Sequence, residues 1–152
     1  MSYFPFFMNI EQKKFCVFGG GQIAARRIQG LLRYGAIVTV AAPFLHEEIL
    51  KLHQSYPQQL HIEQRAYCLG EIQNENADYV LAATNDADVN ASIYRECRHK
   101  EIPVNNASDH RQCDFYFPAL IEKDDLVIGV TSIDGNHKKV AEFSKKLRNV
   151  TI

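Results

Sequence analysis

The sequence predicts an α/β fold built on a doubly wound parallel sheet, and three observations carry that expectation. Short apolar, β-branched runs alternate with stretches of helical periodicity through residue 105. A glycine triplet, Gly19-Gly20-Gly21, stands between the first strand-like run, Lys14-Phe15-Cys16-Val17-Phe18, and the first helical one. The turn-forming segments Ala42-Pro43, Thr84-Asn85-Asp86 and Asn105 to Asp109 follow later strand-like runs. Right-handed crossovers would gather those segments and the triplet on one rim of the sheet, where ligands bind in such folds.

Taken in order, the helix after the triplet shows its apolar face in Ala24, Ala25, Ile28, Leu31 and Leu32. Gly19, Gly21 and Ala24 fit G-x-G-x-x-G/A, the dinucleotide-binding turn of a Rossmann-type sheet. The first glycine permits the tight turn, the second lets backbone approach a pyrophosphate, and the small third residue lets helix pack on strand. The N–H groups at the helix start then face the phosphates. Tyr34-Gly35-Ala36 reads as the helix stop. Ile37-Val38-Thr39-Val40-Ala41 has the near-continuous apolar character of a strand buried on both faces. An acid that grips an adenosine ribose usually ends this strand, but here the positions are Ala41, Ala42 and Pro43. No Arg stands in, so the ribose contact carries no NAD-versus-NADP signature.

Leu45, Glu48, Ile49 and Leu52 suggest a short helix, and Leu60 and Ile62 a third strand. The segment through Tyr67, Leu69 and Ile72 is ambiguous. Tyr79 to Ala83 is a fourth strand, after which Asn85 or Asp86 caps a helix with Val89, Ile93 and Cys97 on its apolar face. Ile102-Pro103-Val104-Asn105 is a short fifth strand, and Pro103 places it at an edge or a strand start. Beyond it lie two strand-like runs, Asp114 to Ile121 and Leu126 to Val130, with Glu122 to Asp125 as the turn between them. A helix with Val140, Phe143 and Leu147 on one face follows. Unpaired apolar strands are an aggregation hazard, so this tail reads as a dimerisation element. The expected organisation is a nucleotide-binding domain over residues 1–113 and dimerisation strands with a C-terminal helix over 114–152.

Composition excludes several classes. With 152 residues and a hydrophobic fraction of 46%, the chain can bury one ordinary core. A net charge of −1 offers no footprint for nucleic acid. No apolar run approaches the roughly 18 residues of a membrane span. The apolar start, Met1 to Phe7, lacks a basic n-region and a small-residue cleavage site and reads as a segment packed on the sheet. Cys16, Cys68, Cys97 and Cys113 show no metal-binding or disulfide spacing, so no metal site is expected and a reducing cytoplasm fits.

The chain resembles the dehydrogenase module of siroheme synthases, the precorrin-2 dehydrogenase or sirohydrochlorin ferrochelatase family, from its start to about Arg148. Tyr3-Phe4-Pro5, Val17 to Ala24, Gly35 to Pro43, Ala82 to Asp86 and Val89-Asn90 carry the likeness, with Val104-Asn105, Cys113-Asp114-Phe115 and Phe117-Pro118-Ala119. The resemblance implies NAD-dependent oxidation of precorrin-2 to sirohydrochlorin, and in some members Fe2+ insertion into the same macrocycle. It implies cofactor contacts at Gly19, Gly20, Gly21, Gln22 and Ile23 and at Pro43 and Phe44. The rim adds Thr84, Asn85 and Asn105 to that set.

Two departures stand out. The family's proposed catalytic Asp falls on Ser108, and the carboxylate comes one residue later, at Asp109. The family's Gly-Lys-Ser-Pro reads Gly135-Asn136-His137-Lys138, so a histidine replaces the serine. Family members continue into a helical domain, so this chain is expected to be a short form. Oxidation needs a place for the lost proton, and Asp109, Ser108 and His137 are the candidates. Arg26, Arg27, Lys138, Lys139, Lys145 and Lys146 are candidates for the substrate's carboxylates. Each has a plainer reading: a Ser-Asp pair also holds a turn, and lysines also line solvated helix faces. Two other functions compete with the enzyme: a non-catalytic NAD-sensing regulatory module, and a degenerate or partner-dependent pathway subunit. The motifs after the fourth strand favour the enzyme, and the altered active-site residues favour its rivals.

Overall fold

A computed structural model describes residues 4–74 and 76–150, with Gln73 and Asn74 described in backbone only. It falls into two compact units, Asn9–Tyr116 and a second formed by Met1–Met8 with Phe117–Ile152.

The larger unit is a five-stranded parallel sheet. Its strands are β1 (Lys14–Phe18), β2 (Ile37–Ala41), β3 (Leu60–Glu63), β4 (Tyr79–Ala82) and β5 (Val104–Asn106), in the order β3-β2-β1-β4-β5. The helices between them are α1 (Gln22–Arg33), α2 (Glu47–Ser55) and α3 (Ala87–Lys100). The chain returns from β3 at one edge to β4 beside β1, so the order reverses between β1 and β4. That reversal opens a crevice at the C-terminal ends of these strands.

Register explains why the strands are apolar throughout. Cys16 lies opposite Val80, and Phe18 opposite Ala41 and Ala82. These residues form one buried cluster with Ile93 and Cys97 of α3 and with Ile72. Phe15, Val17, Val40 and Leu81 alternate with them and are buried as well. Right-handed crossovers put α1 and α2 on that second face and α3 on the first. Burial pushes the Cys97 thiol up to about 12, which marks it as packing rather than chemistry. At the end of α1, Gly35 takes φ +79 and donates to Leu32 O while Ala36 donates to Leu31 O, the paired closure that favours glycine here.

The ambiguous segment after β3 is a loop with one 3-10 turn over Glu71–Asn74. Glu96 of α3 holds it, accepting from Tyr67 Oη, from Gly70 N at 2.7 Å and from Ile72 N at 3.3 Å. The fifth strand begins after Pro103, at a sheet edge, where a ring with no N–H costs no ladder bond.

The tail differs in detail from the expectation. The strand expected from Asp114 begins only at Ala119. Residues before it cover the β5 edge instead: Asp114 N donates to Val104 O at 2.8 Å, the Asp114 carboxylate accepts from Val104 N, and Asn105 bridges Cys113. In the second unit, β6 (Ala119–Lys123) and β7 (Leu126–Val130) form an antiparallel hairpin. Its turn is therefore only Asp124-Asp125, with Asp124 at φ 54. The following helix, α4 (His137–Arg148), buries Ser144 and half-buries Val140 and Leu147, an i, i+4, i+7 stripe. Phe143 falls on its flank and is 51% exposed, contrary to the face expected of it. At the start of the chain, Phe4, Phe6, Phe7 and Met8 are exposed, and residues 1–3 lie outside the described ones. Among the described residues no helix is long and apolar enough to cross a membrane.

Candidate active site

The rim at the C-terminal ends of β1, β2, β4 and β5 brings together most of the expected site residues. Its centre is the glycine turn. Gly19 has φ +116, and a Cβ there would lie 2.2 Å from Ala83 O and 2.7 Å from Thr84 N, so this glycine lets the turn press against the end of β4. A Cβ on Gly20 would lie 2.2 Å from Phe44 O and 2.9 Å from Ala42 Cβ. The loop after β2 thus folds over the turn, and His46 N ties it down by donating to Gly20 O at 2.7 Å.

Gly21 is different. A Cβ there meets nothing within 4 Å, and its backbone, φ −82 and ψ −175, suits any residue. It is the N-cap of α1, makes no side-chain capping bond, and precedes a first turn without an acid. The other three α-helices are capped by His46, Asp86 and Asn136 side chains. Among the described residues, the start of α1 therefore presents N–H groups without a side-chain cap and a positive dipole end to the open side of the rim, the arrangement that receives an anion. Gln22, Ile23, Pro43 and Phe44 border it with exposed side chains, Phe44 at 84% and Ile23 at 51%.

A hydrogen-bonded chain joins the ends of β4 and β5. Its hub is Asn90 of α3, which is fully buried. Asn90 Oδ1 accepts from Thr84 N at 3.0 Å and from Thr84 Oγ1 at 2.8 Å, while Nδ2 donates to Thr84 O and to Ser108 Oγ, each at 3.1 Å. Ser108 Oγ donates in turn to Asn106 Oδ1 at 2.7 Å, and Asn106 Nδ2 donates to Gln112 Oε1 at 2.8 Å. Thr84 and Ser108 are thus placed by a common side chain. Asn85 stands exposed beside Thr84. Asn105, by contrast, is 3% exposed and donates to Phe115 O at 2.7 Å, so it is held inside β5 and not presented on the rim.

The expected α3 face 89-93-97 packs on the core, with Val89 partly buried, and Asn90 beside it is buried as well. Sequence reasoning gave Asn90 no role of its own, and an Asn in that register was the available signal. Asn90→Leu should remove the acceptor of the half-buried Thr84 N–H and the donor to its carbonyl at once. We expect a loss of about 2–4 kcal/mol, read as a fall of about 5–15 °C in a thermal melt. An unchanged melting point would show that the network does not hold the rim.

Asp109 follows Ser108 at the start of a second 3-10 turn, His110–Gln112. Its carboxylate accepts from Arg111 N and Arg111 Nε through Oδ1 and from Arg111 Nη2 through Oδ2, each at 3.0 Å. The Arg111 side chain beside it, with that backbone N–H, holds the Asp109 carboxyl below the usual carboxylate range. Asp109 and Arg111 line an open depression of about 510 Å³ with Ala87, Ser108, His110 and Gln112. His137 belongs to the other unit, exposed in the first turn of α4. Lys138, Lys139, Lys145 and Lys146 are exposed on the same helix.

A family model described as NAD(P)-binding matches residues 6–119. The chain is 36% identical over 148 residues to a multifunctional siroheme biosynthesis protein from Ruminiclostridium josui, covering 97% of this chain and 28% of that one. It is 35% identical over 132 residues to a siroheme synthase from Psychrobacter arcticus, covering 87% and 23% respectively. The chain thus spans about a quarter of the length of these curated relatives. Among solved structures it superposes on SirC, a precorrin-2 dehydrogenase, with a TM-score of 0.76 and 26% identity, over 95% of this chain and 69% of that one.

Proposed function

The chain belongs to the NAD(P)-binding family of siroheme synthase N-terminal modules and precorrin-2 dehydrogenases, and from that premise we propose that it oxidises precorrin-2 to sirohydrochlorin with NAD as the hydride acceptor. One observation carries the reading. Of the three adjacent glycines, the chain's own packing requires Gly19 and Gly20, whereas a Cβ at Gly21 would meet no protein atom within 4 Å, on the open side of the rim at the start of α1. A pyrophosphate on the open N–H groups of α1 would occupy that space and give a reason for a glycine there. Gly19, Gly20, Gly21, Gln22 and Ile23 would hold the cofactor with Pro43, Phe44, Thr84 and Asn85, and Asn105 would support the strand beneath. Bound NAD supplies the hydride acceptor. The chain supplies the rest: Thr84 and Ser108 fix the rim through Asn90, Asp109 takes the proton lost with the hydride, and basic side chains meet the substrate's carboxylates.

Fe2+ would enter as a substrate, in a second reaction for which Asp109 would also remove pyrrole protons. The free cysteines fit a cytoplasmic location. The pairing of Asp109 with Arg111 is what favours a second reading, an NAD-binding module without catalysis. Appearance of NADH absorbance on adding precorrin-2 and NAD separates the two, and its absence at saturating concentrations overturns the enzymatic reading.

The residues from 114 to 152 would form the dimerisation element. Leu120, Leu126, Val127 and Phe143 are 37%, 45%, 40% and 51% exposed on a hairpin and helix that bury only Ile121 and Ser144. Pairing with a second copy across a two-fold axis would cover them. Sedimentation should give a dimer at micromolar concentration, and Leu126→Asp with Val127→Lys should give a monomer. A wild-type monomer defeats the assignment.

A further inference from the structure

We propose that Arg111 is the receptor for a substrate carboxylate at this site and that Asp109 occupies it as an internal stand-in until substrate arrives. The inference rests on the reading of the site given above and concerns a residue to which that reading assigns no role.

The geometry points to it in three ways. Asp109 meets Arg111 through two side-chain N–H donors at 3.0 Å each, the fork by which guanidinium takes a carboxylate from another molecule. The pair lies in the wall of the open depression, with the Arg111 side chain 76% exposed, so an incoming carboxylate can reach the guanidinium without unpacking anything. The pair is also local, two residues apart at a 3-10 turn, with its guanidinium exposed and its carboxylate half-buried, and solvent-facing pairs of this kind are weak enough to be exchanged. A substrate rich in carboxylates would take Arg111, and Asp109 would lose its partner at the moment a proton acceptor is needed.

The consequence is a change in basicity on binding. Before binding, Arg111 holds the Asp109 carboxyl below its ordinary range. Once Arg111 turns to the substrate, the carboxyl returns upward and becomes a better base. The other titratable group lining the depression is His110, and the Cys113 thiol approaches Asp109 O. The α3 residues that line it, Ala87 and Ala91, are neutral.

The test uses Arg111→Gln and Arg111→Lys in the full chain. Sirohydrochlorin is titrated by absorbance in the absence of NAD, and precorrin-2 oxidation is followed across pH. Arg111→Gln should weaken sirohydrochlorin binding about 10- to 100-fold, the worth of a charge-assisted forked contact, and Arg111→Lys should recover part of it. NAD affinity should be unchanged in both, which shows that the rim is intact. In the wild type the acid limb of kcat, which reports the complex, should lie at higher pH than that of kcat/KM, which reports the free enzyme. In Arg111→Gln the two limbs should coincide at the higher position. Wild-type affinity in Arg111→Gln, or limbs that already coincide in the wild type, overturns the inference alone. A wild-type chain that binds NAD but neither binds sirohydrochlorin nor oxidises precorrin-2 overturns the proposed function and this inference with it.

Discussion

Gly21→Val is expected to abolish NAD binding without unfolding the chain, while Gly20→Ala, one residue earlier and chemically milder, is expected to destabilise it. The contrast follows from what each new side chain would meet. At Gly21 there is no protein atom within 4 Å, and the backbone is in an extended region that valine prefers. Its branched side chain would project over the start of α1, where a phosphate must approach to reach the N–H groups. Losing those charge-assisted bonds should raise the dissociation constant for NAD at least about 100-fold. At Gly20 even a methyl group would lie 2.2 Å from the Phe44 carbonyl oxygen, a backbone atom tied by its loop. The β2–α2 loop must then move off the turn and take the His46-to-Gly20 hydrogen bond with it. Overpacking of this kind costs about 1–3 kcal/mol, more where backbone is the obstacle. Gly19→Ala should be worse still, since it adds a left-handed φ of +116 to a 2.2 Å overlap with Ala83 O. Calorimetric titration with NAD and a thermal melt on all three variants read both quantities. Wild-type NAD affinity in Gly21→Val removes the site from the glycine turn.

That contrast also marks where sequence reasoning reaches its limit. The strands were legible because both faces of a parallel sheet are buried, so β1, β2 and β4 carry near-continuous apolar runs. The glycine turn was legible because its spacing reflects a local backbone need. The reason for Gly20 was not, since the Phe44 carbonyl that crowds it comes from the loop after another strand. Asn90 was obscured because an Asn beside Val89 looks like the polar flank of a helix, and only burial reveals it as the hub between Thr84 and Ser108. The face of α4 was misread for a related reason: Phe143 is more apolar than Ser144, but helix phase buries the serine. Arg111 carried no signal at all. Its pairing with Asp109 depends on a 3-10 turn of three residues, which no periodicity announces. Lys138 and its neighbours, by contrast, are exposed on the helix where the charge pattern placed them.

Asp109→Asn should lower the turnover of precorrin-2 about 10²–10⁴-fold, the usual worth of general acid–base catalysis. Asparagine keeps the size of the side chain and one oxygen to accept from Arg111 N, so the 3-10 turn should persist. What it removes is the group able to take the proton. The two other candidates are weaker on chemical grounds. Ser108 Oγ accepts from Asn90 and donates its proton to Asn106, so it is a neutral hydroxyl committed to positioning. Ser108→Ala should therefore cost far less than Asp109→Asn in kcat, and what it costs should come from a looser rim. His137 is exposed in the first turn of α4 and makes no part of the Asn90 network. NAD affinity should hardly change in Asp109→Asn, because the glycine turn is untouched, and that constancy separates lost chemistry from lost fold. The acid limb of the pH profile provides a second check. A depressed carboxylate titrates on the acid side, so kcat/KM in the wild type should hold as pH falls until Asp109 of the free enzyme protonates, and that limb should vanish from the residual rate of Asp109→Asn. Normal turnover in Asp109→Asn beside a dead Ser108→Ala or His137→Ala would move the proton to one of those groups and leave Asp109 with the turn it caps.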